Sequence, residues 1–229
     1  MKSKKKLLII VAILVVISVI LGELYYLKSR FHYEDHLDET VVTVDGTDIT
    51  LRQFGYYIFV IEDFVQKQAL LYDKEDPTHW WHTHFAAGLD STFVSDYARK
   101  TAIDTCGCNE IYSREAIKLG FELNSVEEQS ALEQEKEMYA RMDLYQRAIT
   151  GLDEGMILDY KRKEILATKY ATYLAGTTDL SGYSEEPLKL VNWDGEYYLN
   201  VILPQHEIIQ NDKLLKKITL GRITVNYDT

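Results

Sequence analysis

Cysteine is almost missing from this chain, with two in 229 residues. That excludes a disulfide-stapled mini-protein and a four-cysteine zinc site. Basic residues are also in short supply. The 25 Lys and Arg stand against 36 Asp and Glu, and a net charge of −11 argues against nucleic acid as a partner. No internal repeat or low-complexity tract is visible, and no nucleophile elbow, P-loop, H-E-x-x-H or EF-hand loop. What remains is a foldable composition, 46% hydrophobic and 27% charged, which excludes wholesale disorder. The length suits one well-buried domain and is short for two.

The charge is unevenly spread. Residues 1–30 hold six basic residues and the single acid Glu23, leaving 19 basic and 35 acidic residues, a net −16, for residues 31–229. Behind four of those lysines runs Leu7–Leu21, interrupted only by Ser18. Extended to Leu27, the stretch is long enough as a helix to span about 30 Å of hydrocarbon. Tyr25 and Tyr26 then suit the interfacial belt, with Lys28 and Arg30 at the exit. The expectation is an uncleaved transmembrane anchor that contacts the lipid bilayer through residues 7–27. It leaves the amino terminus cytoplasmic and the acidic body extracytoplasmic. A cleaved signal peptide shares the basic start and apolar centre. Ile20, where a small residue would precede a cut near Leu21–Gly22, favours the anchor.

The expected fold class is mainly α (α+β): the anchor, then a bundle of about four helices with short β elements at its start and at the carboxyl end. The boundaries are 1–28 for the basic tip and anchor, 29–40 for a charged tether, 41–176 for the helical domain and 177–229 for a β-rich segment. Val41–Val44 and Thr47–Ile49 flank the turn dipeptide Asp45-Gly46. Thr50 and Gln53 form a capping box that starts a helix at Leu51, periodic to about Tyr72. A second long helix runs from about Ser91 to Leu119, closed by Gly120. Asn124 and Glu127 frame a third that Gly151 stops, and a fourth follows from Asp153 to Gly176. Asp194-Gly195 predicts a hairpin over residues 189–203, and residues 218–227 alternate like a strand. The β elements at the two ends are candidates to pair.

The phrase VVTVDGTDIT, then a helix beginning LRQF, a long helix ending REAIKLGFEL and the capped NSVEEQ resemble the amino-terminal chaperone domain of the SurA/PrsA foldases. The matching residues are Val41, Val42, Val44, Asp45, Gly46, Ile49 and Thr50, then Ala116, Gly120, Phe121 and Leu123, then Glu127 and Glu128, with Gly151-Leu152 before the fourth helix. The resemblance covers roughly residues 40–176. It implies a holdase for unfolded or exported polypeptides, working without ATP or cofactor. Catalytic relatives carry a parvulin domain, and 53 residues after Gly176, with His206 alone, are too few for one. Prolyl isomerase activity is therefore not expected.

A holdase needs adaptable apolar surface ringed by charge. With 17 tyrosines and three tryptophans available, the candidate peptide-binding residues are Tyr56, Tyr57, Trp80, Trp81, Phe85, Met138, Met142, Tyr145, Tyr160 and Tyr170. Core filling is the competing role for most, and for Met138, Met142 and Tyr145, which share one stripe, it is the favoured one. A structural or interaction protein of the cell envelope, holding one defined partner, is the reading from another class. Cys106-Gly107-Cys108 raises a third, dithiol redox chemistry, although positions i and i+2 of a helix diverge by about 200° and place one thiol inward and one outward. His79, His82 and His84 with Asp76 have metal-ligand spacing, yet no further ligand stands out, and no metal is expected. The acids of residues 127–137 read as a solvated helix face.

Overall fold

A computed structural model describes residues 16–18, 31–85 and 91–225. The chain divides into two units, Met1–His32 and Tyr33–Thr229. Of the first, Val16–Ser18 is helical, and the rest of the expected anchor, residues 7–27, lies outside the described residues.

The second unit opens with the hairpin β1 (Thr40–Val44) and β2 (Thr47–Thr50). At its turn Asp45 and Gly46 both adopt positive φ, 47° and 77°, the backbone that a two-residue hairpin loop requires. Thr50 then caps α1 (Leu51–Tyr72) through the reciprocal box with Gln53. The short α2 (Thr78–Trp81) follows Pro77, and backbone bonds between Thr83–Phe85 and Thr92–Val94 lead into α3 (Val94–Lys118). α3 ends as expected at Gly120, φ +80°, where the Phe121 amide donates to the Ala116 carbonyl and that of Gly120 to Ile117, a Schellman close.

α4 (Ser125–Arg141) carries the Asn124/Glu127 box. It does not run on to residue 149. The chain extends at Met142, and Asp143 recaps a separate α5 (Leu144–Thr150) with Gln146. α6 (Glu154–Thr177) completes the helical body.

α3 is its axis. It packs on α6, α1 and β1, and tyrosines cement the joints. Tyr56 stacks on Tyr160 at 4.8 Å, and Tyr112 meets Tyr170 and Tyr198 edge-on.

The carboxyl segment is less β-rich than expected. The region around 189–203 forms α7 (Pro187–Leu190) and a π-turn over Tyr198–Ile202, not a hairpin. Leu190 and Val191 cap the end of α6, and the Tyr112 hydroxyl donates to the Val191 carbonyl. A short apolar run does not distinguish strand from buried helix by period alone. Among the described residues of this segment only β3 (Ile208–Gln210) is strand. It lies antiparallel to β1, so the sheet order is β2–β1–β3 and the two ends of the domain do pair.

After α8 (Asp212–Leu215), residues 218–225 form a strap rather than a strand. Gly221, φ +88°, lies flat on the Trp81 ring. The amides of Gly221, Arg222, Ile223 and Thr224, with the Thr224 hydroxyl, all donate to the buried carboxylate of Glu62 on α1. That one acceptor takes the place of a neighbouring strand.

The fold class is thereby corrected: mainly helical with a small three-stranded antiparallel sheet, and no helix among the described residues long and apolar enough to cross a membrane. The long helices are amphipathic. α1 itself is interrupted by Arg52, Glu62, Asp63 and Lys67.

Candidate peptide-binding cleft

α1 has apolar residues on more than one face. One face, with Phe54, Tyr57 and Ile58, is sealed in the core. A second carries Ile61, Phe64, Val65 and Gln68, spaced one helical turn at a time. α3 answers with Val94, Tyr97, Ala98 and Thr101 at the same spacing. The two rows are the walls of a cleft of about 200 Å³, whose lining Trp80, Phe85 and Trp193 complete.

Gln68 and Thr101 supply the only polar side chains among these residues apart from the aromatic heteroatoms. Phe64 is 61% and Phe85 56% exposed. Phe85 stacks on Tyr97 with centroids 4.3 Å apart, and Trp80 leans on Tyr72 at 4.8 Å. The apolar surface continues over the end of α1 through exposed Leu71 and Tyr72.

Charges beside the cleft pair among themselves. Lys67 bonds Asp63 at 2.9 Å, Arg99 bonds Asp96 at 2.8 Å, and Lys100 pairs with Asp104. The arrangement is an aromatic hollow between two helices whose neighbouring charges neutralise one another.

Of the ten residues expected at the binding surface, Trp80 and Phe85 line this cleft. Tyr56, Tyr57, Trp81 and Tyr160 are buried, which corrects their assignment, and Met138 and Met142 are buried in the core role favoured for them. They sit on the inward faces of α1, α4 and α6 and beneath the strap, where no guest reaches them. Tyr170 is half-buried against Tyr112. Tyr145 is 50% exposed on α5 and does not line the cleft. The residues sequence reasoning missed are Phe64, Tyr97 and Trp193. Phe64 carried a signal: with Ile61 and Val65 it widens the apolar arc of α1 beyond what one buried face needs.

The cysteines contradict the expected inward–outward split. Both are buried and unbonded, because α3 is covered on opposite sides. Burial pushes the Cys106 thiol far above its ordinary range, with the Glu110 charge adding to the rise, and pushes Cys108 up to about 12 against a hydrogen bond with Tyr198. Such thiols are poor nucleophiles at neutral pH. The histidines part company as well. His79 turns to Asp76 at 3.3 Å, while His84 meets Ser91 and packs on Phe93. Among the described residues no group of three or more His, Cys, Asp or Glu is placed to hold a metal ion.

No family model, curated protein or solved structure matches this chain.

Proposed function

We propose that this protein is a holdase that binds unfolded or exported polypeptide segments, seating one large apolar side chain at a time in the α1–α3 cleft, without ATP. The observation that carries the reading is the cleft: an aromatic-walled hollow left open beside a core in which Phe54, Tyr56, Tyr57, Trp81 and Tyr112 are buried. Its volume, about 200 Å³, falls below the roughly 300–1,000 Å³ of small-molecule sites. It suits a single Phe, Leu or Trp anchor better than a cofactor. Burying one such side chain contributes about 1.5–3 kcal/mol, the weak and sequence-tolerant grip that holding a client and letting it go requires.

The resemblance of residues 40–176 to the SurA/PrsA chaperone domain supports the same reading. The lysine-rich, apolar start and the acidic body support a place of work outside the cytoplasm.

The test is light scattering from a chemically denatured client diluted into buffer with and without the full chain. Suppression at a few-fold molar excess, indifferent to ATP, is expected. If several unrelated clients aggregate unchecked, the reading fails. Capture of one folded protein only assigns the chain to the envelope interaction class instead.

A further inference from the structure

A client segment brings a backbone as well as a side chain, and the domain offers one place suited to it. β3 is an edge strand, with β1 on one side and no strand on the other among the described residues. The Asp45 amide donates to the Glu207 carbonyl at 2.8 Å and the Asn211 amide to the Val41 carbonyl at 2.9 Å, with Ile209 opposite Thr43 between them. Residues 207, 209 and 211 therefore turn their backbone groups toward β1. By the alternation of a strand, Ile208 and Gln210 turn their N–H and C=O outward in the plane of the sheet.

Beyond that edge α3 forms a floor. Two adjoining hollows, about 280 Å³ and about 300 Å³, share Ile103, Asp104 and Gln210. The first is walled by Trp193, Leu199 and Leu203, the second by Arg99 and Lys216. A strand laid beside β3 at the usual spacing of about 4.8 Å points residues i and i+2, about 7 Å apart, toward this floor. Trp193 also lines the apolar cleft, so the hollow beside the edge and the cleft share a wall.

We infer that the outer edge of β3 takes an extended polypeptide segment as a fourth strand. One inward side chain of the guest, apolar, enters the hollow at Trp193 and Leu199. The next, polar, enters the hollow between Arg99 and Lys216. The inference rests on the holdase reading and deepens it, since main-chain pairing grips any sequence able to extend, while the hollows read alternate residues.

The experiment titrates the full chain with a short fluorescent peptide of the repeat Val-Val-Thr-Thr, in which either strand face presents valine and threonine in turn, and with the same peptide N-methylated at every amide. Gln210→Pro removes an outward N–H and leaves the ladder to β1 intact. Phe64→Ser, in the cleft, serves as comparison. Expected are binding of the parent peptide, at least about tenfold weaker binding of the methylated one by the unaltered protein, and a similar loss in Gln210→Pro. Unchanged affinity in both arms overturns the inference, even where Phe64→Ser abolishes client holding and so upholds the cleft. A dimer that Gln210→Pro converts to monomer in sedimentation also overturns it, by giving the edge to a second copy of the chain.

Discussion

Phe64 and Glu62 are two positions apart on α1 and do opposite work. Phe64 points into an open cleft and stabilises nothing that the folded chain alone requires. Phe64→Ser is therefore expected to weaken client binding about tenfold, the equivalent of about 1.4 kcal/mol, and to change stability by no more than about 0.5 kcal/mol. Client titration and urea unfolding check the two halves. Glu62 is sealed, and burial raises its carboxyl above the ordinary range while the Thr224, Gly221 and Ile223 donors pull it back. Glu62→Ala strands several buried amides without an acceptor and is expected to cost about 3 kcal/mol or more. The urea midpoint falls, and amide exchange at residues 221–224 quickens. For Cys106 and Cys108 the expectation is silence. A thiol reagent at neutral pH modifies neither until denaturant is added, and prompt reaction of both in the native protein contradicts the buried geometry.

The elements divide by whether their signals are local. Thr50 with Gln53, Asn124 with Glu127, and Gly120 are complete within a few residues of sequence, so three helix ends were legible before any fold was known. The division of residues 125–150 was legible too, in Asp143 and Gln146, but an unbroken apolar stripe concealed it. Asp143→Ala is expected to cost about 1 kcal/mol and to fray α5 first, as seen in the order of amide exchange. The strap was not legible. Residues 218–225 alternate as a strand does, and what they pair with is a carboxylate some 160 residues earlier. Tyr56, Tyr57 and Tyr160 were misplaced for a related reason. Tyrosine at helical spacing serves a wet surface and a packed joint equally well, and only the facing helix decides between them.

At the scale of the molecule, the two ends of the domain are tied through Asp45. Its carboxylate accepts from the Glu207 amide at 2.8 Å and from His206 Nδ1 at 2.9 Å. Burial works to raise its pKa. The Glu207 amide, His206 and the Arg114 charge outweigh burial and hold it below the ordinary range. A lowered folded pKa contributes stability that is present above the unfolded value, about 3.9, and is lost as pH falls through the folded one. Thermal unfolding from pH 6 to pH 2 is expected to show that acid loss, and Asp45→Asn, which tolerates the positive φ, to lessen it, with Asp76, Glu127 and Asp179 still contributing.

The same tie holds the sheet against α3 and so sets the floor beside the cleft, which makes the open hollow a property of the assembled domain. Its occupancy is most directly read by photocrosslinking. A benzophenone side chain replaces Phe64 in one variant and Val126, 76% exposed in the first turn of α4 and outside the cleft lining, in another. Irradiation with a denatured client is expected to join client to position 64 and leave position 126 unlabelled. Equal labelling at both, or none at 64, contradicts the account.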